Sequence, residues 1–529
     1  MTALPKGPDM EGNIAKLEMN SNLYESGIEF TKACKRYGLP LFLKSIQRVA
    51  HFAWRHHPGR YADGALENLA LDVGEGLKDY PIGGNIHVPA AKRRASRTLH
   101  VATTLHAIGG HSRVLAKWVE RNSGAEHLIV LTNQWHDPHP VMRDRISGSG
   151  SSFVRLPAFS SLIYRAAMLR SMSQACDRVI LHTHPHDCIP LLAFAKQGGP
   201  PVAMFNHAHF SFNLGSTVSD IIVNTVEYYR DISKKHRFAR STALLTGVAG
   251  MQPIDDGTVD KAAARRELSL PEDATVIMSM AYERYYTPMD GYHFFRTLKT
   301  LTESLPDAFF LIVGLDQNSP LVSDELRKNP NVRLTGVVVN PIVYYKASDL
   351  FLESFPMPSL GAVHEAVGYG EAFPIAVYGP GESILHVNQP TFSYSERALD
   401  ENAYVDYVTS QARNKTVIRQ AASQMRTAMR EEDRLFESKL DSLNTQIDAL
   451  PHRPGKIPTT KMIDSRDCRL LADLDPSGIG DKINSLYAFL PSIYYQVDAS
   501  RKGQQKPAAA VQSIAKSVID RLREAAARI

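Results

Sequence analysis

Cysteine is scarce in this chain, with four among 529 residues. So few cannot build a disulfide framework, and a reducing compartment is the expectation. Residues 1–20 lack the apolar core of a secretory leader. No stretch approaches the ~18 uninterrupted apolar residues of a membrane span. Lysine and arginine are not gathered into one dense run, so a net charge of +5 does not call for nucleic acid as a partner. That mild excess suits a phosphate-bearing small ligand or an anionic membrane surface. The expectation is a soluble, cytoplasmic protein with room for peripheral contact at the inner face of a membrane. No internal repeat of solenoid period is present.

What the chain does contain is material for more than one core. Its hydrophobic fraction is 43% and its charged fraction 22%, and its length predicts about two to four domains. From Leu23 to Gly74 apolar residues such as Leu39, Phe42, Ile46, Val49 and Phe52 recur at helical steps. Lys92, Arg93 and Arg94 then read as a linker. From Thr98 short β-rich runs alternate with helical patterns: Leu99–Thr103, His127–Thr132, Arg178–Thr183, Val202–Asn206, Ile221–Asn224 and Ala243–Thr246. A second set follows at Thr275–Met280, Phe309–Val313, Val332–Thr335, Leu350–Glu353 and Pro374–Tyr378. Such alternation implies parallel sheets with crossover helices. The expected division is a helical extension over 1–95, a Rossmann-like domain over 96–250, a second over 251–400, and a helical region over 401–529. Within the last, Ala508–Ile529 reads as a basic amphipathic helix, suited to packing on the protein or lying on an anionic membrane.

The strongest motif runs from Asp349 to Tyr378. A strand ends near Ser354, a proline-rich turn follows, and Ser359 can cap a helix starting near Leu360. Gly361 allows close approach to first-turn amides, which have no partners inside the helix and form a natural phosphate seat. Glu365 lies one turn further in, on a side that could reach a ribose. This stretch resembles the nucleotide-sugar signature of the group 1 glycosyltransferases of GT-B fold. Glu365, Ala366, Gly370 and Pro374 match it, with a longer gap before the proline. The resemblance implies that Glu365 binds the donor ribose and that amides near Leu360 and Gly361 bind its diphosphate. It extends to a strand ending in Gly314, to Gly336, and to a base-binding loop at 337–339. Arg284, in the loop after Met280, is a candidate for the pyrophosphate; a fixed cation there lowers the barrier as a diphosphate leaves. A surface arginine beside a carboxylate is the other reading of that residue.

Two departures from the family pattern stand out. No lysine follows Arg284 before Lys299, and Met357 occupies the place, eight residues before Glu365, where retaining members often carry glutamate. Stereochemistry therefore stays open.

In the first half, Gly109 and Gly110 lie between a strand and a helix and resemble the family's first-loop glycine pair, which implies a role at donor phosphate or acceptor. Histidines cluster next, at His182, His184 and His186 with Asp187, and at His207 and His209. The second cluster follows a strand, where ligands of open α/β sheets collect. A neutral imidazole there can take the proton of an attacking hydroxyl, so His207 and His209 are the candidates for base or acceptor-orienting group. The first cluster admits a competing reading as a zinc-dependent hydrolase site. The sequence as a whole reads as an α/β, GT-B-like protein: two doubly wound Rossmann-like domains with helical N- and C-terminal extensions. A nucleotide-sugar donor is expected in the cleft between the domains, with no metal and no cofactor. The acceptor stays open among glycan, lipid-linked carrier and protein, polysaccharide assembly being the family's common setting. A non-catalytic nucleotide-binding protein is the remaining alternative.

Overall fold

The computed structural model describes residues 13–79, 96–106, 110–147, 151–248, 259–289, 291–338, 340–369, 373–374, 377–378, 397–398, 400–475 and 477–487. The expected basic linker at 92–94 and the expected helix at 508–529 lie outside the described residues. The described residues divide into two compact units: one from 13 to 245 with 440 to 487, and one from 246 to 439.

The first unit opens with α1 (Ile14–Cys34), α2 (Leu39–Arg55) and α3 (Gly64–Glu75). Asn13 and Asp63 cap α1 and α3 by accepting from first-turn amides, as short polar side chains do. Then come β1 (Arg97–Ala102), α4 (Gly110–Arg121), β2 (Glu126–Leu131), α5 (Pro140–Ser147) and β3 (Ser152–Arg155). These are followed by α6 (Leu162–Ser173), β4 (Arg178–His182), α7 (Ile189–Ala193), β5 (Val202–Phe205), β6 (Ile221–Asn224), α8 (Glu227–His236) and β7 (Thr242–Leu244). The seven strands form one parallel sheet in the order β3-β2-β1-β4-β5-β6-β7. The order reverses between β1 and β4, the switch point at which open α/β sheets place their ligands.

Alternation along the strands sets what each face packs against. Leu99 and Val101 of β1 enter a large core shared with α1, α2, α3, α6 and α7, whereas Ala102 enters a smaller core with Leu115 and Val119 of α4. The expected N-terminal helices are thus built into the sheet's own core. Strand β3 carried no sequence signal: only four residues long and partly exposed, it is an edge strand.

The second unit contains α9 (Lys261–Glu267), β8 (Val276–Met280), α10 (Phe294–Ser304), β9 (Phe309–Val313), α11 (Asp324–Lys328), β10 (Val332–Leu334), α12 (Ile342–Ala347) and β11 (Leu350–Phe351). After these come α13 (Leu360–Tyr369), β12 (Phe373–Pro374), β13 (Val377–Tyr378), β14 (Arg397–Ala398), α14 (Glu401–Arg413) and α15 (Lys415–Arg434). Its parallel sheet has the order β10-β9-β8-β11-β12, with the reversal between β8 and β11. A small parallel pair, β13 with β14, stands apart.

Helix α16 (Phe436–Asp448) spans the boundary of the two units, and α17 (Arg466–Asp473) and α18 (Ile479–Tyr487) belong to the first. Between α16 and α17 an extended segment is stitched to the loop before α3. The amide of Gly64 donates to Pro458, that of Ile463 to Gly59 and that of Thr460 to the Asp63 carboxylate. No helix among the described residues is long and apolar enough to cross a membrane.

Candidate functional site

The loops at the carboxyl edge of the second sheet bring several of the expected residues together. Gly314 follows β9 with φ +96°, and Gly336 follows β10 with φ +68°. The amide of Gly314 donates to the carbonyl of Gly336 at 2.8 Å, and that of Gly336 to Leu315 at 3.0 Å. A Cβ on Gly314 would lie 2.6 Å from the carbonyl oxygen of Ala281, in the loop that carries Arg284. Glycine is therefore required at 314 on both counts, conformation and space. Gly314→Ala is expected to destabilise the second unit by about 2–4 kcal/mol, read as a lowered urea midpoint. Gly336→Ala, with open space around its Cβ, is expected to cost about half as much.

Arg284 sits in a short 3-10 turn (Glu283–Tyr285), exposed. Its guanidinium lies 5.0 Å from the Tyr285 ring centre and donates to the Tyr285 hydroxyl at 3.2 Å. It makes no ion pair among the described residues, so its charge is not spent on a carboxylate. The Met357 amide donates to the Tyr285 carbonyl at 3.4 Å, tying the Arg284 loop to the turn that leads into α13.

At the start of α13, Ser359 is tied to a buried carboxylate. The Ser359 amide and hydroxyl both donate to one oxygen of Glu353, at 2.5 and 2.8 Å. Glu353 is 3% exposed, and its other oxygen, Oε2, is buried without a hydrogen-bond partner. Burial pushes its carboxyl up to about 7 against the pull of the Ser359 bonds. At neutral pH it is therefore neutral in a large fraction of molecules. Gly361 is exposed and its missing side chain faces open space. Leu360 begins the helix. Glu365 is 7% exposed and accepts from the Tyr345 hydroxyl of α12 at 2.9 Å. The Tyr345 ring in turn stacks on Tyr369, with centroids 5.7 Å apart. Glu365 is thus held by a phenol rather than solvated. Glu353 and Tyr345 carry no sequence signature and are visible only through these contacts.

At the carboxyl edge of the first sheet, Gly110 opens α4, exposed and with no atom within 4 Å of a built Cβ. Gly109 lies outside the described residues. His207 and His209 follow β5, and the two rings have different surroundings. His209 stacks flat on Tyr229, with centroids 4.2 Å apart and planes at 5°, and its Nδ1 is buried without a partner. His207 stacks on His111 at 4.1 Å, and its Nε2 lies 3.1 Å from Nδ1 of His182. Burial holds both rings below their usual range, His209 at about 3. The loop behind them is pinned by Arg237, which is 0% exposed and donates to the carbonyls of Tyr61, Ala208, His209 and Ser211.

The residues of the alternative zinc reading do not converge. His182 faces His100 and His207, His184 faces the Thr104 hydroxyl, and His186 packs against His51 and Trp54. Asp187 accepts from the hydroxyls of Thr103 and Thr132 and from the amide of Ile189. Its oxygens are committed to shaping the switch-point loop. Among the described residues no group of metal-ligating side chains is assembled.

No known family model matches the sequence, and no curated protein matches it by sequence comparison. Among solved structures, the chain is similar to a mutant of the Thermobaculum terrenum O-GlcNAc transferase: 14% identity over 82% of each chain, with a TM-score of 0.50. It also matches a glycosyltransferase from Rickettsia africae (10% identity, 67% of this chain and 98% of that one, TM-score 0.47). A third match is Anabaena HepE in complex with UDP and glucose (11% identity, 67% and 99%, TM-score 0.47). Identities this low speak to fold alone. With two parallel, doubly wound sheets in series, the chain has a fold of GT-B type.

Proposed function

We propose that this chain transfers a sugar from a nucleotide-diphosphate donor to a nucleophile, most simply a hydroxyl. The observation that carries the reading is the carboxyl edge of the second sheet. There the exposed Gly361 at the start of α13 and the uncommitted cation of Arg284 lie on loops joined through Met357 and Tyr285. A helix start offers amides to a diphosphate, and an arginine fits its oxygens. The missing side chain at Gly361 leaves the backbone there open to close approach. With burial raising its carboxyl to about 7, Glu353 in its neutral form spares the phosphates a repulsion that an ionised carboxylate would impose. Glu365 would meet the ribose with an edge of the carboxylate that Tyr345 holds in place. Gly314 and Gly336 would let the nucleotide approach the backbone.

The first sheet would supply the acceptor side, with His207 or His209 orienting or deprotonating the acceptor. The acceptor could be a glycan, a lipid-linked carrier or a protein. No metal enters this reading, and the chemistry would take place in the cytoplasm. Solved structures at this identity make fold a prior for function and nothing more.

A thermal-shift panel of UDP-glucose, UDP-N-acetylglucosamine and GDP-mannose tests the donor half. At a concentration of ~100 Kd one donor is expected to raise the midpoint by the equivalent of about 2.7 kcal/mol, which is roughly 5–10 °C for a unit of this size. Glu365→Ala is expected to abolish that increment whatever it does to the starting midpoint. No increment with any donor, or equal increments in both proteins, overturns the assignment. Release of nucleoside diphosphate on adding acceptor separates transfer from binding alone.

A further inference from the structure

A row of four imidazoles crosses the interior of the first sheet. His127 at the start of β2 lies with Nδ1 3.0 Å from Nε2 of His100 in β1. Nδ1 of His100 lies 3.2 Å from Nε2 of His182 at the end of β4. Nδ1 of His182 lies 3.1 Å from Nε2 of His207 after β5. The first three are at most 2% exposed, and Trp118 of α4 sits against His100 and His182. Strand alternation puts them there: His100 shares a face with Ala102, and His127 shares that face with Ile129 and Leu131. A wholly apolar row would fill the same space, so the polar one calls for an account.

The far end of the row settles its hydrogens. Nε2 of His127 lies 2.9 Å from the backbone carbonyl oxygen of Asn122, and a carbonyl can only accept. Nε2 of His127 therefore carries the proton, and its Nδ1, in a neutral ring, must accept. His100 must then donate from Nε2 and accept at Nδ1; His182 must do the same; and so must His207 donate from Nε2. Burial favours the neutral form of every ring, which closes the alternative of an extra proton within the row. What remains is Nδ1 of the half-buried His207, which has no hydrogen bond among the described residues.

We infer that His127, His100 and His182 are positioning residues that lock His207 in the Nε2–H tautomer, so that its Nδ1 lone pair meets an O–H donor at the sheet's carboxyl edge. A lone pair repels a phosphate oxygen and accepts from a hydroxyl. This edge is therefore assigned to a hydroxyl-bearing ligand and not to the diphosphate. The inference rests on the transferase reading only in identifying that ligand with the sugar acceptor. Should Nδ1 take the hydroxyl proton, His207 becomes an imidazolium that still donates from Nε2 to His182, and the alkoxide is the nucleophile.

The test is long-range proton–nitrogen correlation on full-length protein labelled with 15N-histidine, at pH 7.5 and without ligand. His207→Gln assigns the signal. His207 is expected to show a protonated Nε2 and a bare Nδ1. In His127→Phe the anchor is lost and His207 is expected to populate the Nδ1–H form in at least a third of molecules. In His127→Gln, whose amide can donate to Asn122 and accept from His100, the wild-type pattern is expected to persist. An Nδ1–H tautomer in the parent protein, or an unchanged His207 in a folded His127→Phe, overturns the inference. If His127→Phe does not fold, the parent spectrum and His127→Gln decide it. These spectra need no sugar donor, so an enzyme inactive on every nucleotide sugar sinks the transferase reading and leaves the tautomer result standing.

Discussion

Acidification from pH 6.5 to pH 5 is expected to unfold the first unit. Eleven of its histidines (His51, His57, His100, His111, His127, His182, His184, His186, His207, His209 and His236) are held below their ordinary value, chiefly by burial. His57, His182, His186 and His209 lie at about 3, and His51 and His111 at about 4. Released into water, each would titrate near 6.5. Below that pH the unfolded chain binds protons that the folded chain refuses. The stability they permit is intact above about 6.5 and is lost as pH falls toward their folded values. Each such group is worth about 1.4 kcal/mol per pH unit. Even if water reaches the rest, four of the eleven give about 5 kcal/mol per pH unit, comparable with the net stability of a domain. Glu67, pushed up to about 7 by burial, acts in the opposite direction as a single group.

All three tryptophans, Trp54, Trp118 and Trp135, belong to the first unit, so tryptophan fluorescence reports on it alone. A fluorescence transition centred between pH 5 and 6 is expected, with at least four protons taken up, read from the pH dependence of the urea midpoint. Native fluorescence persisting to pH 4.5 would contradict it. In the second unit His293 is lowered as well, and Glu353, at about 7, favours folding as pH drops toward 4.5. No comparable acid transition is expected there among the described groups.

The elements were legible because doubly wound sheets leave plain marks. Buried parallel strands such as β9, β4 and β6 are short unbroken apolar runs, and they fell within a residue or so of their expected limits. β3 was not legible, since an edge strand need not be apolar on both faces. The site was legible only where chemistry demanded a residue type. Gly314 and Gly336 could be read as glycines at strand ends, and their positive φ gives the physical reason. The surroundings of Glu365 were not readable, because Tyr345 comes from another helix and its reach depends on how α12 and α13 pack. Ser359 shows the same limit: a serine before a helix reads as a cap, and its further bonds to a buried carboxylate six residues earlier are written in no local pattern. Along the sequence the histidines of this edge form two clusters, at 182–186 and 207–209. That His100 and His127 join them follows from the register of β1 with β2 and β4, a property of the fold and not of any local pattern.

Arg237→Met is expected to be among the most damaging single substitutions in the first unit, and the damage should reach His207. The guanidinium has no carboxylate partner. Its charge is balanced by the carbonyls of Tyr61, Ala208, His209 and Ser211, at 2.9, 2.8, 3.3 and 2.8 Å, with the Tyr61 ring 5.6 Å away. Burial lowers it only to about 10, so it remains a cation at neutral pH. Methionine would fill much of the volume and replace none of these bonds: the oxygens of Tyr61 and Ala208 would keep the amides of Asn213 and Ser211, and those of His209 and Ser211 would lose their donor. Each buried acceptor left bare costs about 1–3 kcal/mol before the loop relaxes, and a net loss of about 3–5 kcal/mol is the expectation. That is roughly 10 °C in melting temperature for a unit of this size. Lysine presents its donors from one atom and cannot span the fork, so Arg237→Lys should recover less than half. Arg240 is the control. It also donates to backbone carbonyls, of Thr217 and Ser219, but its side chain is 30% exposed, and water can replace it. Arg240→Met should cost about 1 kcal/mol. If the two substitutions cost the same, the carbonyls around Arg237 are finding other donors. The loop that carries His209 and adjoins His207 would then be held by its own backbone and not by the buried cation.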